Sequence, residues 1–154
     1  MKKYFLLLLS ISLIVSCSSK YEFAKYESVS EAGWNANDTL TFKIKIEATS
    51  TPYNINLGVR YNKGYEFDNI WFKLFGSIIE NAKDGKMQEI ILFDKIGKPY
   101  GNCTGSVCTQ IYPIQKNYIF KKAGIYVVKV VHLMRQEPLL GVKDVGIMVE
   151  KVKQ

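Results

Sequence analysis

The chain has 154 residues, 21 basic and 14 acidic, with a formal charge of +7 and 13% aromatic side chains. That length suits one domain with a single core, and a second domain is not expected. The basic residues are scattered without a run of four or more, which favours a solvated surface over a nucleic-acid or anionic-lipid patch.

Residues 1–16 read as a cleaved bacterial leader: Lys2 and Lys3 supply charge, Tyr4 to Val15 is apolar apart from Ser10 and Ser12, and Ser16 is the small residue before the cut. As a helix the apolar stretch would rise only about 18 Å, short of the roughly 30 Å hydrocarbon core, so an uncleaved span is not expected. Ile14-Val15-Ser16-Cys17 resembles a lipobox, which implies a diacylglyceryl thioether on Cys17 and a lipid-anchored product. Residues 17–36 then read as lipid anchor and tether, and 37–154 as the folded domain. Neither a retention aspartate directly after Cys17 nor an acidic export cluster behind Lys20 is present. The expected location is therefore the outer membrane, with the domain facing the periplasm.

From residue 40 onward the hydrophobic period is two. Leu40, Phe42, Ile44 and Ile46 alternate with Thr41, Lys43 and Lys45; Ile55, Leu57, Val59 and Tyr61 alternate with Asn54, Asn56, Gly58 and Arg60. Asn69 to Phe75 reads as a third strand. Asp84-Gly85 is a hairpin signal whose return strand is Met87 to Phe93. Lys95 to Cys108 reads as loop, and Gln110 to Phe120, interrupted by Pro113, as at best an edge strand. The run from Gly124 to Met134 is apolar enough for a central strand with both faces covered. Pro138 and Gly141 mark a turn before Val145, Ile147 and Val149 alternate again. Seven to eight short strands without an amphipathic helix predict an all-β fold, an antiparallel sandwich of immunoglobulin-like size; a small barrel gives the same pattern.

Cys103 and Cys108, in a glycine-containing stretch of an exported chain, are expected to form a disulfide. Two thiols and one histidine fall short of the four ligands of structural zinc, so no metal is expected. His132 lies between Val131 and Leu133 and reads as a packed side chain rather than a general base. No nucleophile elbow, phosphate loop or metalloprotease motif occurs, and no carboxylate pair stands out by spacing. No catalytic residue is assigned, and the covalent lipid is the only group expected on the chain.

The aromatics between residues 34 and 75 are read chiefly as core. Tyr53, Arg60, Tyr65 and Trp71 are nonetheless the types that sugar or peptide sites use, and keep a binding module open as the alternative.

Gly33-Trp34-Asn35 with Asp38, Pro52-Tyr53-Asn54, Leu57 to Asn62 with Arg60, Gly124-Ile125-Tyr126, Met134-Arg135 and above all Leu140-Gly141-Val142-Lys143-Asp144-Val145-Gly146-Ile147 carry a resemblance to the GldH gliding-motility lipoproteins of the Bacteroidetes. Cys103 and Cys108 are not part of that pattern. The resemblance implies a non-catalytic assembly component of the gliding and type IX secretion machinery, with envelope proteins as partners. It transfers no catalytic residue, and the family also occurs in bacteria that do not glide. Arg135 and Asp144 are candidate polar contacts for such a partner, or a pair closing the base of their own hairpin. Trp34, Tyr53 and Arg60 are candidate anchors.

Overall fold

The computed structural model describes residues 20–79 and 84–152. The leader and the proposed lipidation site at Cys17 lie outside them. Among the described residues there are nine strands: β1 Tyr21–Ser28, β2 Leu40–Ile46, β3 Pro52–Asn62, β4 Asn69–Phe75, β5 Lys86–Ile91, β6 Asn102–Thr104, β7 Val107–Ile119, β8 Gly124–His132 and β9 Val142–Lys151. They form two antiparallel sheets, ordered β1-β9-β3-β7-β6 and β2-β8-β4-β5. This is the expected all-β sandwich.

Period-two patterning does most of the work. Phe42, Ile44 and Ile46 of β2, Ile70, Phe72 and Leu74 of β4, and Val128 and Val130 of β8 are buried on one inner face. Tyr53, Ile55, Leu57, Val59 and Tyr61 of β3, with Val145, Ile147 and Val149 of β9, oppose them. Burying these rows drives the two sheets together.

Four elements differ from the sequence reading. Tyr21–Ser28, expected as tether, is an edge strand paired with β9 from Tyr21↔Glu150 to Ser28↔Asp144. A register shift between Tyr21 and Phe23 breaks its alternation, so its period is not legible. Second, the expected loop from Lys95 to Cys108 contains β6 and the start of β7, which pair in register at Cys103 and Cys108. The two sulfurs are bonded there. Third, β7 runs for 13 residues despite Pro113, because β6 covers only Val107 to Thr109 and Pro113 needs no outward partner. Fourth, β8 is central but covered on one face only. Ile125 and Val127 point to solvent at 69% and 36% exposure. An apolar run is thus no proof of two-sided burial.

The outer face of the five-stranded sheet has its own packing device. Gly58 and Gly146 stand opposite each other in β3 and β9, and the ring of Tyr26 from β1 lies across both. A Cβ at Gly146 would fall 2.7 Å from a Tyr26 ring carbon, and one at Gly58 2.4 Å from its hydroxyl oxygen. The bare glycine backbone makes the seat that the ring fills.

Candidate functional site

Antiparallel register divides the sandwich into two ends. The chain enters at Tyr21 beside Glu150, and the β2–β3 and β7–β8 connections lie at that same end. At the other end are the connections 29–39, 63–68, 92–101 and 133–141. An 11-residue strand such as β3 separates the ends by about 36 Å. Three of the six sequence motifs singled out above, Gly33 to Asp38, Met134-Arg135 and Leu140 to Asp144, gather at the far end.

Trp34 organises that end from within. It exchanges backbone hydrogen bonds with Leu139 in both directions, and its indole N–H donates to the Asp38 carbonyl at 2.7 Å. At 1% exposure its ring packs on His132, with centroids 5.1 Å apart, and on Phe72. His132 Nδ1 accepts from the Met134 amide at 3.3 Å, so Nε2 carries the proton and donates to the Trp34 carbonyl at 3.0 Å. Burial holds the His132 pKa below its ordinary value, against the opposing pull of the Trp34 carbonyl and Glu137. Glu137 Oε2 is 3.9 Å from Nε2, too far for a hydrogen bond, and its carboxylate instead accepts the Ala36 amide. The imidazole is therefore neutral and structural. Gly33, at φ +109°, lets the 29–39 connection meet the 133–141 loop, because a Cβ there would lie 2.8 Å from Pro138. The Glu137-Pro138 peptide is cis.

Beside this knot the 29–33 and 141–144 segments enclose a polar cleft of about 260 Å³, lined by Ser28, Glu31, Asn62, Gly141, Lys143 and Asp144 among others. Asp144 accepts from Ser28 Oγ at 2.7 Å and faces Arg60 Nη1 at 3.3 Å. The Arg60 guanidinium also stacks over Tyr26, 4.1 Å from the ring centroid. Burial raises the Tyr26 pKa, and Arg60 opposes it. Three strands thus contribute one polar chain, Ser28 to Asp144 to Arg60 to Tyr26, leading out of the cleft.

The structure redistributes the candidate residues. Arg60 and Asp144 come together; Asp144 does not pair with Arg135. Arg135 is exposed and has no ionic partner among the described residues. With Leu133 at 40% and Leu140 at 47% exposure it gives the 133–141 loop an open apolar and cationic surface. Trp34 and Tyr53 are core, Tyr53 donating its hydroxyl to the Ala48 carbonyl at 3.2 Å, so neither is available as an anchor. Tyr65 is 6% exposed and donates to the Asn69 carbonyl at 3.2 Å; burial pushes its pKa upward. Trp71 is half-buried on the outer face of the four-stranded sheet, its amide donating to Met134 Sδ. The aromatics of residues 34–75 therefore do not make a binding row: the core consumes Trp34, Phe42, Tyr53, Tyr61 and Phe72, leaving Trp71 half-buried on the outer face. Sequence reasoning missed Tyr26 and Ser28, and it had no way to see Glu137 bracing the Ala36 amide. The two bare glycines facing each other were the available signal for Tyr26, but only the register shows them opposed. Among the described residues no cluster of three or more histidine, cysteine or carboxylate groups could hold a metal.

The GldH lipoprotein family matches residues 21–149, from the first residue of β1 to within two residues of the end of β9. The gliding motility lipoprotein GldH of Flavobacterium johnsoniae is 28% identical to this chain over 155 aligned positions, spanning 95% of this chain and 94% of that protein. A match over the whole sandwich, including the cleft and the 133–141 loop, establishes the relationship: the chain belongs to the GldH lipoprotein family.

Proposed function

We propose that this lipoprotein acts in gliding motility as a non-catalytic assembly component, anchored in the outer membrane through acylated Cys17 and docking on envelope proteins of the gliding and type IX secretion machinery from the periplasmic side. The observation that carries the reading is the far end of the sandwich. There a family-matching segment presents exposed Arg135, Leu133 and Leu140 beside a polar cleft, on a loop braced by Trp34, His132 and Glu137. An open arginine flanked by apolar side chains on a rigid support suits a protein contact. The histidine, the group most often used as a general base, is buried and already committed to two backbone partners.

The test is crosslinking in cells followed by purification of the acylated protein, comparing the native chain with Arg135→Ala and Leu140→Asp. Recovery of gliding or secretion components that drops several-fold in either variant supports docking through this loop. Equal recovery in all three places the contact elsewhere.

A second reading, a glycan- or peptide-binding module, draws on a different feature from the one the sequence suggested. A groove of about 510 Å³ along the open edge between β5 and β7 is lined by Tyr100 and Tyr112 with Gln88, Glu89 and Gln110. Aromatic faces flanked by amide groups are what carbohydrate sites use. Titration with envelope glycan fragments, read on Tyr100→Ala, distinguishes this reading from the first.

A further inference from the structure

β1 begins only four residues after Cys17. Four fully extended residues reach at most about 14 Å, so acylation at Cys17 holds Tyr21 within that distance of the lipid attachment. The far-end loops lie about 36 Å from there along β3. The end that must meet the bilayer is therefore the entry end.

Its surface has two properties that a headgroup layer recognises. The connection between β7 and β8 spans only residues 120–123 and carries Lys121 and Lys122, both exposed. It is flanked by Ile119 at 57% and Ile125 at 69% exposure. Ile119 stands opposite Pro52 in one sheet and Ile125 opposite Lys45 in the other, so the apolar side chains bracket the lysines across the end of the sandwich. Among the described residues at this end, Lys20 pairs with Glu150, Lys45 with Glu47 and Lys151 with Glu22, all within 2.9 Å, whereas Lys116 near the end of β7 is exposed without such a pair. Lys121 and Lys122 have no such carboxylate among the described residues. Solvated isoleucines beside uncompensated lysines cost free energy in water and gain it at an anionic lipid surface.

We infer that the β7–β8 connection, with Ile119, Lys121, Lys122 and Ile125, is a membrane-contact surface for anionic phospholipid headgroups, which orients the domain with its 133–141 loop away from the bilayer. This rests on acylation at Cys17. The anchor supplies attachment; this surface supplies direction, which a single point of attachment does not.

The test uses the acylated full chain in vesicles of phosphatidylethanolamine with phosphatidylglycerol. An environment-sensitive fluorophore is placed on Lys122→Cys or Ile125→Cys, and at the far end on Lys63→Cys or Lys143→Cys. Cys103 and Cys108 are bonded to each other and stay unlabelled. Quenching by headgroup-nitroxide lipid is expected at positions 122 and 125, several-fold above that at 63 and 143. In the Ile125→Cys background, Lys121→Glu with Lys122→Glu is expected to reduce it by roughly an order of magnitude or more. The same loss is expected in vesicles of phosphatidylcholine alone. Equal quenching at both ends, or quenching at 125 that survives charge reversal, overturns the inference. A chain that does not float with the vesicles refutes acylation at Cys17 instead, and removes the basis of the inference by a separate and recognisable route.

Discussion

Replacing Gly146 by alanine is the sharpest test of how β1 is held to the sandwich. The added Cβ would lie 2.7 to 2.8 Å from three ring carbons of Tyr26, and those are its three nearest neighbours. Carbon atoms settle at about 3.5–4.0 Å, so the ring must lift by roughly 1 Å. Lifting it loosens its seat on Gly58 and its stack under Arg60, at a cost of about 2 kcal/mol for overpacking of this kind. Tyr26→Ala alone removes a half-buried ring and its cation contact, also about 2 kcal/mol. In that background nothing opposes the new methyl group. Gly146→Ala should then be neutral or stabilising by roughly 0.5 kcal/mol, because glycine weakens a strand through its backbone entropy. The expected coupling between the two sites is about 2.5 kcal/mol. Urea denaturation of the four proteins measures it, and thermal melts should agree at about 4 °C per kcal/mol for a domain of this size. If Gly146→Ala costs the same with and without the Tyr26 ring, the ring does not lie on the glycines and the packing argument fails.

The pH dependence of stability tests His132. Its folded pKa is lowered by burial, so the unfolded chain binds the proton more readily. Its contribution is complete above the ordinary histidine pKa of about 6.5 and is lost as pH falls below that toward the depressed folded value, with a slope of at most about 1.4 kcal/mol per pH unit. Denaturation midpoints taken between neutral and mildly acidic pH should show this slope, and His132→Asn should remove it; a slope unchanged in the variant assigns the proton elsewhere. Replacing Cys103 and Cys108 together by serine should lower stability by roughly 2 kcal/mol, the chain-entropy value for so small a ring, and hydrogen exchange should rise first in β6 and the start of β7. Arg60→Ala should cost about 1 kcal/mol, since its pair with Asp144 is half-exposed and the Tyr26 stack adds a comparable amount. A loss above roughly 3 kcal/mol would mean that the polar chain, rather than the core, holds β1 in place.

Legibility followed the physical origin of each element. β2 and β4 were readable to the residue because both alternate cleanly over seven residues and bury one face. β1 was not, since its aromatics fall on both sides of an irregular register and its stability comes from β9 and the glycine seat. β6 is three residues long and exists only as the partner of β7 across the Cys103–Cys108 bond. Local composition at Asn102 to Cys108 speaks for a turn, which Gly105 does make. Among the site candidates, Arg60 and Asp144 were recognisable by residue type, but their pairing was not, because 84 positions separate them in the chain. Arg135 and Asp144, close in sequence, were the natural pair to expect; strand register instead brings Asp144 to Arg60 and Ser28, while Arg135 stays exposed in the loop.

By itself the sequence determined the class of this protein. Period-two alternation requires sheets with one buried face, and the motifs from Gly33 to Ile147 carried the likeness to the GldH lipoproteins that the family match bears out. Those are local properties, written into spacing and side-chain type. What the tertiary structure alone decided is which aromatics are consumed by the core, which polar groups meet, and which end of the sandwich carries the chain's entry point. Each of these depends on strand order and register, and side chains dozens of residues apart become neighbours only when both sheets have closed on their shared core.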